Sequence, residues 1–410
     1  MNRIAKFGAA AVACGLSSLP GASVWACGGG GVTSRVGVTT NAQRIFMSVR
    51  ATGTTDIVAQ IAVPQTTADY GVLIPVPDEP TLDDEPVSAE ELNALDNATA
   101  PKIFVQTGSS GSSGSGCGCL GAGAGDDDSA GTKGPSRGVT VSSEVTIGPV
   151  LAVSLTGDSG DAVRAWLTDN GFSLPQDDTA TLDRYVGAGK YFIAIRRKEA
   201  TSGVGASGGV ASGGAATGGA TSIGIHYTLP GDHRMLSLGF TRIGAAPKLA
   251  ITLFLAAPQI VGPSEPFKAL TLDALDAAVL RDKDYALALE SAVAAHDSKA
   301  FVLEGSRPFG GLASSMPKLA ALVDSDAVLT RATTILPRDR IEDDAVFATQ
   351  FKGDVPSYRV VSLGAAHARY AGMGSLALLL VAGGLRRRSR GRVSSAERYS
   401  DVIDVKPPTP

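Results

Sequence analysis

The chain has 410 residues, 44% of them hydrophobic and 19% charged, and a net charge of −4. That is enough apolar material to bury sizeable cores, which excludes a disordered chain. Lys and Arg are not gathered anywhere before the C-terminal end and aromatic residues make up only 5%, which excludes a nucleic-acid surface or a base-stacking platform.

Arg3 and Lys6 precede the apolar run 7–19, and Pro20-Gly21 leads into a small-residue stretch ending Val24-Trp25-Ala26. These are the three parts of an export signal, so residues 1–26 are expected to be a signal peptide removed from the mature chain. Cys14 leaves with it. Cys27, Cys117 and Cys119 remain as structural thiols in an oxidising compartment, an odd count that leaves one without an intramolecular partner. Two readings stay open for Cys27. One is a disulfide to Cys117 or Cys119. The other is acylation, because Val-x-Ala-Cys is similar to a lipoprotein signal, although Trp25 is bulky where such signals prefer a small residue.

Apolar and polar residues alternate over 44–50 (RIFMSVR) and 56–63 (DIVAQIAV), which predicts two strands with one buried face each. Residues 70–76 continue the pattern as a third strand, whose ladder Pro75 and Pro77 are expected to end because proline cannot donate. Residues 88–95 (SAEELNAL) read as a capping-box helix, Ser88 being followed three positions on by Glu91, and the helix stops before Pro101. Residues 103–105 predict a further strand. From 108 to 138 the composition turns to Gly, Ser and Ala with Asp126, Asp127 and Asp128, an expected flexible loop.

Strand pattern returns over 139–155, an amphipathic helix over 158–170 closes on Gly171, and 190–196 predicts a strand. A second Gly-Ala-Ser tract, 202–219, is followed by apolar strands around 235–240 and 248–255 and by helices around 272–295 and 316–323. Strands and helices interleave, which points to an α+β fold with a strand-rich core. The exported domain is expected to comprise a strand-rich part, 27–107, the Cys-containing loop, 108–138, and a second part, 139–352, with the insertion 202–219.

Tyr70-Gly-Val-Leu-Ile-Pro-Val-Pro77 resembles the hallmark of the uncharacterised exported bacterial domain-of-unknown-function family 2330, whose members follow a signal peptide with Ala-Cys-Gly-Gly. Further stretches fall in that family's order: Leu92 to Pro101, Cys117-Gly-Cys119 in a Gly-rich loop, Ala165 to Phe172 with Leu182 to Tyr185, and Leu329 to Arg331 with Asp343 to Phe347. The resemblance covers roughly residues 26–350 and implies an exported protein without implying an activity. Val72 stands where an aromatic is common in the family, and its second early Cys is missing after Gly31.

Enzyme motifs lack the context they need. Gly203 to Gly208 fits a dinucleotide pattern and Gly205 to Gly209 a nucleophile elbow, but both lie in one low-complexity tract with no helix after it. His226 and His233 are seven positions apart, a spacing that suits neither one helix face nor a strand pair as a metal site, and they read as surface or structural residues. Cys117-Gly-Cys119 has no positive surroundings to lower a thiol pKa. Asp126 to Asp128 lack the alternation of a calcium loop. Trp166 shares an apolar helix face with Ala162, Val163 and Leu167 and reads as core. No catalytic, cofactor-binding or metal-ligating residue and no cofactor is assigned.

The uncharged run 370–385 ends in Arg386, Arg387, Arg388, Arg390 and Arg392. Extended back to Leu363 it reaches about the length of a spanning helix, with His367 and Arg369 at its outer end. A transmembrane anchor, 363–385, with a basic stop-transfer tail, 386–410, is expected, and the positive-inside rule then places the tail in the cytoplasm and the rest outside. The tail also resembles the Arg-ended sorting tails of myxobacterial surface proteins, without the Cys that precedes those. The reading is an exported, membrane-anchored envelope protein acting as a non-enzymatic binding or structural module, with an envelope hydrolase as the alternative. The membrane is its expected partner and its ligand is unassigned.

Overall fold

A computed structural model describes residues 23–25, 30–33, 39–64, 71–106, 138–174, 178–197, 220–349, 351 and 353–362. Cys27, Cys117, Cys119, the Asp126 to Asp128 run, the tract 202–219 and the C-terminal segment from 363, with Arg386, Arg387, Arg388, Arg390 and Arg392, lie outside these residues. The chain divides into two compact units, Met1–Val105 with Gly111–Val361, and Gln106–Ser110 with Ser362–Pro410. The architecture described is that of the first.

Ten strands form the larger sheet: β1 (Ser23–Trp25), β3 (Thr39–Val49), β4 (Thr54–Pro64), β6 (Thr81–Leu82), β7 (Val87–Ser88), β12 (Ala220–Pro230), β14 (Ala245–Ala257), β16 (Lys268–Thr271), β17 (Ala300–Pro308) and β18 (Val328–Pro337). Its main path is β16-β17-β18-β14-β3-β4-β12-β6, with β1 beside β3 and β7 beside β12. A second sheet has the order β2-β5-β11-β10-β9, from β2 (Gly31–Thr33), β5 (Gly71–Val76), β9 (Val139–Ile147), β10 (Val150–Gly157) and β11 (Tyr191–Arg197). Three short strands, β13 (Met235–Leu236), β15 (Gly262–Pro263) and β19 (Ala345–Ala348), make a small sheet, and β8 (Lys102–Gln106) pairs with β20 (Tyr358–Ser362) as a ribbon.

The period of two along each strand sorts side chains into layers. Ile45 and Met47 of β3, Ile57, Ala59 and Ile61 of β4, and Ile251 and Leu253 of β14 share one core with Val72 and Ile74 of β5, Ala152 of β10 and Ile193 and Ile195 of β11. This core lies between the two sheets, as in a sandwich. The intervening residues Phe46, Val58 and Phe254 face the other way, under α1 (Ala89–Thr99), the segment 309–323 and α7 (Pro317–Ala321). On the far side of the second sheet, Leu151, Val153 and Phe192 pack with α2 (Gly160–Asp169), α3 (Thr179–Gly187) and α4 (Leu238–Thr241). The result is helices, sheet, sheet, helices. Each fully buried Leu, Ile, Val or Phe in these layers contributes about 1.5–3 kcal/mol. Trp166 is 1% exposed and stacks on Phe172 at 6.2 Å, a core residue as its helical pattern indicates.

Several local readings are corrected. Pro75 does not end its ladder: it lies inside β5 opposite Phe192. The facing strand β2 reaches only Leu73, so the ladder's other side is already open there. The stretch 139–155 is a hairpin, β9 and β10, turned at Gly148-Pro149; Gly148 has φ 53°, the positive value that the first central position of a II′ turn demands. Residues 235–240 are a two-residue strand running into α4 rather than one strand. The helical stretch 272–295 breaks into a 3₁₀ turn, Leu272–Ala274, then α5 (Ala277–Arg281) and α6 (Tyr285–Ala294), with Lys283 at φ 62° between the last two. The strands β12, β17 and β18 are additions to the elements expected from the sequence.

The capping box is half made. Ser88 accepts from the Glu91 amide at 3.2 Å, but the Glu91 carboxylate accepts instead from the amides of Lys318 and Leu319, at 3.2 and 3.0 Å. It thereby satisfies the first turn of α7 and pins that segment to α1. Among the described residues no helix is long and apolar enough to cross a membrane, and the expected anchor 363–385 lies outside them.

Candidate functional site

Alternation also fixes what lies on the outer face of the larger sheet. Strand pairing sets Arg331 opposite Phe254, Phe254 opposite Phe46, Phe46 opposite Val58 and Val58 opposite His226. One row thus crosses five strands, apolar in the middle and charged at both ends. At about 4.8 Å per strand its ends lie about 19 Å apart. A charge cluster sits at each.

At the β12 end, His226 is 8% exposed and both its ring nitrogens meet carboxylates. Nδ1 lies 2.9 Å from Asp83 and Nε2 lies 3.1 Å from Asp56. Carboxylates only accept, so both nitrogens donate and the ring is an imidazolium. Thr228, two residues along on the same face, donates to Asp56 at 2.7 Å. Arg50 reaches Asp56 at 3.4 Å and Asp324 at 3.0 Å, and also donates to the Ala321 carbonyl at 3.0 Å. Burial alone pushes His226 down, but its bonds to Asp56 and Asp83 and their charges outweigh it and hold the ring above its ordinary value of 6.5. Burial pushes Asp56 up, yet the bonds from His226 and Thr228 and the charges of His226 and Arg50 bring it below the ordinary carboxylate value.

At the β18 end, Glu304 is the extra residue of a bulge: Leu303 pairs with Ala332 and Gly305 with Arg331. The bulge aims Glu304, 1% exposed, at two partners. Tyr285 donates to it at 2.5 Å, and Arg331 binds its other oxygen through Nε. Arg331 also contacts Asp96 at 2.5 Å and Thr99 at 3.2 Å and lies over the Phe254 ring at 5.3 Å. Arg44 closes the network on Asp96 at 2.8 Å. Burial pushes Arg331 down, but Glu304 and Asp96 overcompensate and raise it. Gly305 is required here: a Cβ would meet the Ser357 Cβ at 2.8 Å.

His233 goes elsewhere, to Asp78 at 2.9 Å and the Pro230 carbonyl at 2.6 Å, so the two histidines do not converge. Among the described residues no group of three or more His, Cys, Asp or Glu is placed to hold a metal. The partners of His226 lie 143 and 170 positions away, and no local motif announces them. The one signal in the sequence is a histidine at a polar position of the alternating run 223–229 (IGIHYTL).

The fold and its clusters define a layered, strand-rich α+β protein. Residues 21–211 match the model of a bacterial family described as "Uncharacterized protein conserved in bacteria (DUF2330)". This bears out the resemblance of Tyr70 to Pro77, and the match ends before Leu329 to Arg331. No curated protein and no solved structure matches the chain. Each cluster joins the matched segment to chain beyond it: Arg50, Asp56 and Asp83 to His226, and Arg44 and Asp96 to Glu304 and Arg331.

Proposed function

We propose that this is an exported cell-envelope protein whose folded part serves as a binding or structural module, held at the membrane by its C-terminal segment. The observation that carries the module reading is the saturation of His226. A general base needs a free lone pair at a reachable nitrogen, whereas both nitrogens here are bound to carboxylates and the ring is charged. Such a residue ties β12 to β4 and to the loop holding Asp83. Export is supported by the charged, apolar and small-residue parts of 1–26, and tethering by the uncharged run before Arg386, Arg387, Arg388, Arg390 and Arg392. In this reading cleavage after Ala26 takes β1 off the larger sheet, residues 27–362 face outward, and Cys27 is either bonded to Cys117 or Cys119 or acylated.

Truncation after Gly364 tests the tether. The full chain is expected in the membrane fraction and the truncated chain in the soluble fraction. Equal solubility of the two would overturn the anchor.

A further inference from the structure

The ribbon of β8 and β20 buries one face only. Ile103 and Val361 pack into the main hydrophobic core, and Arg359 donates to the carbonyls of Leu272 and Leu275. On the opposite face Phe104, Tyr358 and Val360 are 53%, 55% and 45% exposed, three of the six large apolar side chains so exposed among the described residues. Lys102 shares the face of Phe104, two residues away. Beside it runs a shallow groove lined by Lys102, Ser306, Arg307 and Ser357, with no carboxylate in its lining. Arg307 donates to the Ala98 carbonyl at 2.8 Å and keeps its positive charge uncancelled by any ion pair among the described residues.

β20 ends at Ser362, and residue 363 opens the segment read as the anchor. Three residues of chain reach at most about 11 Å, so an anchor starting at 363 keeps Val360 beside the headgroup layer. We propose that this face of the ribbon lies on the outer membrane-facing surface as a lipid dock. Phe104, Tyr358 and Val360 enter the boundary between headgroups and acyl chains, where aromatic rings are favoured, while Lys102 and Arg307 meet anionic phosphates. The dock rests on the anchor reading and adds an orientation to it: the folded part leans on the bilayer instead of standing off on a stalk.

The test uses the full chain reconstituted in vesicles of phosphatidylethanolamine and phosphatidylglycerol, plain or brominated on the acyl chains near the headgroups. Phe104→Trp and Tyr358→Trp each add a reporter to the parent emission of Trp25 and the buried Trp166, which is subtracted, and Val141→Trp, on a strand of the second sheet, is the control. The added emission is expected to fall in brominated vesicles for the first two variants and not for the third. Equal quenching at all three, or none at Phe104→Trp and Tyr358→Trp in chains that float with the vesicles, would overturn the dock and leave the anchor standing. A chain that does not float with the vesicles overturns both.

Discussion

The two ends of the row across the larger sheet solve one problem with different chemistry. Both bring carboxylates from distant parts of the chain onto a buried cation, but one cation is His226 and the other Arg331. A guanidinium keeps its charge at every pH the protein meets, whereas an imidazolium does not. The Arg331 cluster is therefore a permanent fastening and the His226 cluster a conditional one. Exposure separates them further. Glu304 is buried to 1%, while Asp83 is 42% exposed, so water screens the outer half of the His226 clamp.

The hardest break falls at the permanent end. Glu304→Ala leaves Arg331 with one of its two carboxylates and the Tyr285 hydroxyl without its acceptor. A loss of about 3–5 kcal/mol is expected, read as a lower urea midpoint at unchanged slope. Glu304→Leu combined with Arg331→Met should recover most of that loss, because an apolar pair of similar volume leaves no charge stranded. If the double variant is no more stable than the single, the cluster is held by something other than charge pairing.

The conditional end is sharpened by pH. His226 sits above 6.5 in the folded chain, so its contribution is complete below 6.5, declines as the pH rises further, and is gone above its folded value. Asp56 and Asp83 sit below 3.8 in the folded chain, so theirs is present above 3.8 and lost as the pH falls through their folded values. His226→Gln should cost about 1–3 kcal/mol near pH 5.5. It should also remove the decline in melting temperature that the parent chain shows as the pH rises above 6.5. A parent chain with no such decline, or a variant that keeps it, contradicts the imidazolium assignment.

Thr228→Val is the gentlest perturbation. It keeps a β-branched residue in β12 and removes only the bond to Asp56, for a loss of about 0.5–1.5 kcal/mol in thermal or urea unfolding. The same variant should move the acid limb of the stability profile upward, since Asp56 then has one donor fewer. An unchanged acid limb would show that Thr228 does not help set Asp56.

The sequence made the halves of these clusters legible but not their meeting. The alternation RIFMSVR marks β3 as a strand and puts Arg44, Phe46, Ser48 and Arg50 on one face. It does not say that the charged face is the one covered by α1. β17 reads AFVLEGSRP, a continuous apolar run whose period is broken at the Glu304 bulge, so it looks neither like a half-buried strand nor like a helix. β18 is buried along nearly its whole length and hides in the same way. β12 does alternate, but it begins at the end of a Gly-rich tract that draws attention to composition. The α+β class, the helix at Ser88 and the packing of Trp166 depend on neighbours in sequence, and those were readable. The clusters depend on strands from opposite ends of the folded unit.

The order of strands in the larger sheet also governs how the chain acquires its structure. β3 and β4 can close as a local hairpin as soon as both exist, but β3 pairs next with β14 and β4 with β12. The hairpin therefore holds open ladders on both flanks until Ala220–Pro230 and Ala245–Ala257 arrive. For a chain delivered from its N-terminus, that interval is a window of exposed strand edges, and non-local pairing of this kind is slow. A helper that shields the segment Thr39–Pro64 during that window would act on the step that decides between folding and aggregation.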